Sequence, residues 1–334
     1  MDIRYLIIAL TTRCNLNCAY CYNGKIEKPG DMPPGTIEKA LNLIKEGEGP
    51  CHIQLTGGEP SLVPDLVKHA VSYARNLKRP CTIGLQTNGT MLDLDMLLFL
   101  KKQNVQIGVS LDGPPVVQEK LRGQAADTYK GLQFLESLNI PFRITTVLSG
   151  KNIDHLTSLV TLLAGYNMAR GIGFDLLVDK GKGESIESAN ADSLKRNIAS
   201  IMKTLEYFNR LRNHPIVIRE LELLKNSSAH KRVINSFCHA CNGESLYVLP
   251  DGTLYPCGQT MGDTNFASGN LHEATYLKTV ALGEYKLQSD QCEDCILSER
   301  CPGECPSRIH YNGNGRNNLT CVLYQALWEA FTGQ

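Results

Sequence analysis

Hydrophobic positions along the chain follow two rhythms. Short runs rich in Ile, Val, Leu and Thr occur at residues 5–10, 52–55, 82–86, 105–111, 142–148 and 171–177. Each is bounded by Gly, Pro or Asn and is a predicted strand. Between them lie stretches at 35–46, 63–77, 92–103, 128–138 and 153–166 that are predicted helices. In one of these, Leu92, Met96, Phe99 and Leu100 carry the spacing of a single apolar face. Alternation of this kind predicts an α/β fold with a parallel sheet and right-handed crossovers. About six units form a partial (β/α)6 TIM-like barrel, an open relative of the eight-unit barrel. In such sheets chemistry gathers on loops that follow the C-terminal ends of strands.

The rhythm changes further on. Residues 179–190 are polar and contain Gly and Lys, which predicts a loop; a long helix over about 191–212 and a shorter one over 217–226 follow. From Cys238 onward cysteines dominate: Cys238, Cys241, Cys257, Cys292, Cys295, Cys301, Cys305 and Cys321 all lie in this last part. We therefore expect residues 1–226 to form the barrel with its following helices, and 227–334 a cysteine-organised domain. Residues 246–255 read as a hairpin turning at Asp251-Gly252, and 322–331 as a short helix. There is no internal repeat or low-complexity tract.

Composition narrows the function. A chain of 334 residues buries roughly three-quarters of its unfolded surface, so its 13 cysteines are not needed to staple a small core. No secretory signal opens the chain, and no run approaches the ~18 apolar residues of a membrane span. We expect a cytoplasmic protein without a membrane partner, in a reducing compartment where cysteine clusters mean metal. Lys plus Arg and Asp plus Glu both number 34, which argues against a nucleic-acid partner.

Cys14, Cys18 and Cys21 form C-x3-C-x2-C on the loop leaving the first strand. Three soft thiolates suit an iron–sulfur cluster, whereas structural zinc is closed by four ligands and no fourth lies nearby. Three ligands around a four-iron cluster leave one iron open for chemistry. The second strand leads into Thr56-Gly57-Gly58-Glu59-Pro60, and the third ends in Gln86-Thr87-Asn88-Gly89. Cys51 and Cys81 each start a strand and read as small buried hydrophobes.

The cysteine motif, with Tyr20 just before Cys21, and the Gly57-Gly58-Glu59-Pro60 loop resemble the radical S-adenosylmethionine (SAM) superfamily. The resemblance implies a 4Fe–4S cluster whose open iron binds SAM, and reductive cleavage of SAM to a 5′-deoxyadenosyl radical. Gln86 and Asn88, and Ser110-Leu111-Asp112-Gly113, resemble strand-end segments of the sulfatase-maturase and peptide-maturase branch. Their polar side chains are then expected to face the SAM ribose and carboxylate. Arg122 matches the arginine that pairs with the SAM carboxylate in that branch, a job an arginine fork suits.

The late cysteines resemble the SPASM pattern, named after subtilosin, PQQ, anaerobic sulfatase and mycofactocin maturation. That implies two auxiliary 4Fe–4S clusters. By analogy Cys238, Cys241, Cys257 and Cys305 bind the first, and Cys292, Cys295, Cys301 and Cys321 the second. The competing reading of these residues is a pair of structural zinc sites. One position departs from the pattern: sulfatase maturases carry an aspartate, their proposed base, after the cysteine matching Cys257, and here Gly258 stands there. Asp175, Asp179, Glu220, His239 and Tyr255 remain as acid–base candidates. The first strand begins close to Met1, so we expect no leader-binding module at this end.

The preferred expectation is a SPASM-type radical SAM enzyme, RiPP-maturase-like, that oxidatively modifies a peptide or protein side chain by cross-link or thioether formation. Its expected partners are the peptide or protein substrate, a reductant such as flavodoxin or ferredoxin, and a separate leader-peptide-binding protein. The alternatives are a sulfatase-maturase-like formylglycine-forming enzyme and, from another class, a non-catalytic iron–sulfur electron carrier or zinc-binding protein.

Overall fold

A computed structural model describes residues 2–24, 29–229, 236–273, 280–283, 292, 294–298, 300–313 and 319–333. Parts of the expected 227–334 domain, such as residues 284–291 and 314–318, lie outside the described residues. The chain forms two compact units. The first comprises Met1–Asn17, Asn23–Val109 and Cys238–Glu284; the second comprises Cys18–Tyr22, Ser110–Phe237 and Tyr285–Gln334.

In the first unit β1 (Tyr5–Thr11), β2 (Cys51–Gly57), β3 (Cys81–Thr87) and β4 (Gln106–Ser110) pair in chain order, all parallel. Helices α1 (Pro34–Asn42), α2 (Pro64–Arg75) and α3 (Leu94–Lys102) follow the first three strands. Strand β2 shows why they pack: Cys51, Ile53 and Leu55 are buried, while His52, Gln54 and Thr56 on the opposite face are half-exposed. Burying each Leu or Ile of such a face contributes about 1.5–3 kcal/mol, and a slip by one residue would turn that face to water. Helix α2 answers with Val67, Ala70, Val71 and Ala74, and starts on Pro64, whose missing N–H costs nothing in a first turn. Helix α3 starts later than its apolar spacing predicts because the Asp93 side chain accepts from the Met96 N–H at 2.9 Å.

The second unit holds α4 (Pro115–Leu121), α5 (Ala125–Ser137), β5 (Phe142–Leu148), α6 (Leu156–Ala164), β6 (Ala169–Leu176), α7 (Ala191–Asn209), β7 (Val217–Ile218) and α8 (Arg219–Ala229). It closes with α9 (Pro306–Asn312) and α10 (Leu319–Thr332). Strands β5, β6 and β7 pair parallel in that order. Helix α7 packs on α6 and α10 through Leu194, Ile198, Ile201 and Leu205. The short α4 has no counterpart among the predicted helices; Gln124 at φ 47° breaks it from α5.

Strand β8 (Ser245–Val248) returns to the first unit and pairs parallel with β1, Tyr5 opposite Ser245. It then forms the expected hairpin with β9 (Thr253–Tyr255), and β10 (Gly269–Asn270) adds antiparallel to β9. Gly252 sits at φ +84°, a conformation glycine adopts without strain. The parallel partner for β1 removes an otherwise open sheet edge. No helix of the described residues is long and apolar enough to cross a membrane.

Candidate functional site

In the first unit the strand-end loops are fastened around the entry to the cysteine motif. Gly57 has φ +144°, and a Cβ there would stand 2.2 Å from the Thr11 carbonyl oxygen. A Cβ on Gly58 would stand 2.2 Å from the Arg13 carbonyl oxygen. Only glycine lets the two backbones lie this close. The Gly58 and Glu59 N–H groups donate to the Thr11 and Arg13 carbonyls at 2.8 and 2.9 Å. The segment carrying Cys14 is thus laid directly on the Gly57-Gly58 turn.

The Glu59 carboxylate is 1% exposed and fastens a third loop. It accepts from the Thr87 hydroxyl and the Asn88 N–H, both at 2.6 Å, and from the Ser61 N–H at 2.9 Å. Burial pushes its pKa up, and those donors pull it back only in part. Asn88 donates on to Asn15 at 2.9 Å, and Asn15 to Thr90 at 2.8 Å. Pro60 opens a short 3-10 turn behind Glu59, and Thr56 pairs with Ala9 across β2 and β1. Arg13 pairs with Asp31 at 2.7 Å.

The second unit holds the other half of the motif. Tyr20 is 8% exposed and packs with Val117, Leu121 and Leu177. Its hydroxyl donates to Asp112, which is fully buried. Arg122 donates from Nε to the same carboxylate oxygen at 2.6 Å, and its guanidinium carbon lies 5.3 Å from the Tyr20 ring centre. The other Asp112 oxygen accepts from the Val147 N–H at 2.9 Å. Burial alone would lower the Arg122 pKa, but Asp112 together with Tyr20 and Cys18 outweighs it and the cation is held firmly. Burial pushes the Cys18 thiol up, and Arg122 opposes it. Backbone bonds from the Ala19 N–H to Leu121 O (2.8 Å) and from the Lys182 N–H to Cys21 O (3.1 Å) pin this stretch. Ser110 ends β4.

A device that sequence reasoning missed recurs on the polar faces of the strands. Gln54 and His52 lie across Gly84, and Gln86 lies across Gly108, each where a Cβ would collide. In the second unit Arg219 lies across Gly173 in the same way. Bare glycines inside strands were the available signal, because such positions mark a close approach.

The late cysteines separate between the units. Cys238 and Cys241 stand 3.9 Å apart at Sγ on a turn closed by Gly243 at φ 70°. The Cys257 Sγ accepts from the Gln259 N–H at 3.3 Å. In the second unit burial, and then the neighbouring cysteine sulfurs, push the Cys301 and Cys321 thiols up. Burial pushes Cys301 up to about 11, against the Gly303 N–H that points at its sulfur from 3.3 Å. Cys295 receives the Leu297 N–H at 3.5 Å and the Gln325 amide at 3.6 Å. Cys305 lies 3.0 Å from the Ser307 hydroxyl. Every cysteine described is a free thiol, and N–H groups aimed at sulfur favour thiolate ligands, so the donor set fits iron–sulfur ligation. Among the described residues no three His, Cys, Asp or Glu side chains converge on a single metal ion.

The acid–base candidates sort by environment. Burial raises Asp175, at the end of β6, but Arg219 at 2.7 Å outweighs it and holds the carboxyl below the usual range while 43% of the side chain stays exposed. Glu220 is 5% exposed and burial pushes it up; its Oε1 accepts from Arg219 and the Phe174 N–H, and its Oε2 has no partner among the described residues. His239 is paired with Glu244 at 3.0 Å and stacked on Tyr5, Tyr255 is buried, and the Asp179 N–H donates to Asn312.

Comparison with known proteins follows the same lines. The family model described as "Radical SAM superfamily" matches residues 8–163. An uncharacterized protein of Methanocaldococcus jannaschii is 32% identical over 83% of this chain and 91% of its own. A cysteine-type anaerobic sulfatase-maturating enzyme of Clostridium novyi is 22% identical over 98% of this chain and 95% of its own. Among solved structures, native anSMEcpe with bound AdoMet and Kp18Cys peptide aligns at TM-score 0.80 and 20% identity, covering 98% of this chain and 97% of that one. Streptococcus suis SuiB bound to precursor peptide SuiA aligns at 0.70 and 16%, covering 92% and 73%. These two share its α/β fold with a parallel sheet.

Proposed function

Because the chain belongs to the radical SAM superfamily, we propose that it is a SPASM-type enzyme that oxidatively modifies a side chain of a peptide or protein. The sequence feature that carries this reading is the second set of cysteines, Cys292, Cys295, Cys301 and Cys321, outside the motif at Cys14, Cys18 and Cys21. Structural neighbours with bound peptide favour a peptide substrate, and a flavodoxin or ferredoxin is the reductant we assign.

When bound, a 4Fe–4S cluster with SAM supplies a 5′-deoxyadenosyl radical able to take a hydrogen atom. By their spacing Cys14, Cys18 and Cys21 hold that cluster. The Gly57-Gly58 turn would present bare backbone to SAM, and Glu59 keeps the turn in register with Asn88. Arg122, its Nε committed to Asp112, would pair with the SAM carboxylate. Thr56, Pro60, Gln86 and Ser110, each at or just past the end of its own strand, are further binding candidates. We assign residues 227–334 to the auxiliary-cluster domain, with Cys238, Cys241, Cys257 and Cys305 as its other ligand set.

A formylglycine-forming reading has one specific support, the sulfatase-maturating relatives aligned over nearly the whole chain. Gly258 weakens it, since a glycine next to Cys257 cannot accept a proton.

Air-free reconstituted protein should contain about twelve irons and release 5′-deoxyadenosine from SAM and reductant. Cys18→Ala should abolish that release while keeping about eight irons. Release at the parental rate in this variant would refute the site, and a parent with about four irons would refute the auxiliary clusters.

A further inference from the structure

Cys51 and Cys81 lie outside every cluster motif and open β2 and β3. They are direct partners in the parallel register. Paired Cα atoms on neighbouring strands stand about 4.8 Å apart, inside the span a disulfide bridges. The two Sγ atoms are 2.7 Å apart. Six residues of extended chain, roughly 20 Å, separate Cys51 from the Gly57 turn, so the pair sits at the opposite end of its strand from the candidate site.

The two thiols are not equivalent. Cys51 is 5% exposed, and Cys81 is more open. Either sulfur can donate in the contact between them; the contact and burial push Cys51 up, the contact pulls Cys81 down, Arg79 favours the thiolate of both and Arg75 that of Cys81 alone. Arg75 is anchored there by donation to the Cys81 carbonyl at 3.0 Å and the Gln103 carbonyl at 2.6 Å. Arg79 is anchored on the carbonyls of Ile3, Ile44, Glu48 and Gly49. When protonated, Cys81 donates to the Arg79 carbonyl at 3.2 Å. A partly open thiol biased toward its thiolate, beside a buried thiol and two fixed cations, is the arrangement that reacts with disulfides.

We propose that Cys51 and Cys81 form a reversible dithiol–disulfide site that takes a low-molecular-weight disulfide as its oxidant. The Cys81 thiolate attacks one sulfur of the reagent, forming a mixed disulfide and expelling one thiolate. Cys51 then loses its proton and displaces the second thiolate, closing the Cys51–Cys81 bond. Two protein sulfurs are oxidised and one disulfide is reduced to two thiols: the Cys51 proton passes to one expelled thiolate, and the proton that Cys81 released to water on ionising returns to the other. The cross-link joins two strands already in register, so no rearrangement of the sheet is required.

The test uses air-free, cluster-loaded protein equilibrated in glutathione buffers from fully reduced to fully oxidised. The protein is then quenched with N-ethylmaleimide and mapped by peptide mass spectrometry. We expect the peptides carrying Cys51 and Cys81 to appear joined, two hydrogen masses lighter, with one midpoint along the series. Both cysteines fully alkylated at the oxidised end, or Cys81 ending as a stable glutathione adduct in the unaltered protein, would overturn the proposal. Cys51→Ser should trap that adduct on Cys81 at about tenfold the level seen on Cys51 in Cys81→Ser. Equal levels would overturn the assigned order of attack. Because the readout is the joined peptide itself, the test stands apart from the SAM chemistry.

Discussion

Glu59 and Asp112 are both buried carboxylates at strand ends, one in each unit, and they are held in opposite ways. Glu59 is surrounded by neutral donors: a hydroxyl and two backbone N–H groups. Asp112 is held by a full cation, Arg122, together with the Tyr20 hydroxyl and the Val147 N–H. Neutral donors fix a backbone, because each bond runs to one named loop position. A cation shares its charge, so the Asp112 group presents Arg122 at a fixed angle rather than closing a turn. The first arrangement suits a clamp that holds the Gly57-Gly58 turn, and the second suits presentation of a guanidinium to an anionic ligand.

The largest effect should come from breaking the charged arrangement. Asp112→Asn leaves Arg122, only 10% exposed at its side chain, as an uncompensated buried cation and should cost about 3–5 kcal/mol in urea unfolding of the air-free protein. A loss below about 1 kcal/mol would show that Arg122 finds its counter-charge elsewhere. The neutral arrangement should be cheaper to disturb. Glu59→Gln keeps one acceptor oxygen and should cost about 1–3 kcal/mol, the range for one unsatisfied buried donor.

The smallest effect is a slope. Burial raises Glu59 above 4.5, so the folded protein holds this proton more tightly than the unfolded chain. Stability from this group is therefore greatest below 4.5, falls as pH rises from there to its raised folded value, and is flat above. Subtracting the Glu59→Gln stability profile from that of the parent should expose the decline. A difference that instead rises with pH across that window would mean the neutral donors overcome burial.

Much of this was readable before any fold was known. The apolar runs located the six parallel strands that carry the strand-end loops, β5 to the residue, since a face buried against helices must alternate or run apolar. The Cys14, Gly57 and Thr87 segments were placed on strand-end loops for the same reason. Misses were local where a side chain decided a boundary, as with the Asp93 cap that starts α3. Helix α4 was missed because a seven-residue helix is too short for its periodicity to stand out.

By itself, then, the sequence determined the α/β rhythm, the soft-thiolate spacing and the glycine turn, because these depend on neighbours a few residues apart. Only the tertiary structure decided that Asp112 meets Tyr20, 92 residues away. It alone decided that Gln86 lies across Gly108 and that Cys51 faces Cys81. It also gave β1 its parallel partner in β8, more than two hundred residues later in the chain. Periodicity records which side of an element is buried. Which element buries it is settled by register and packing between distant segments, and no local pattern encodes that choice.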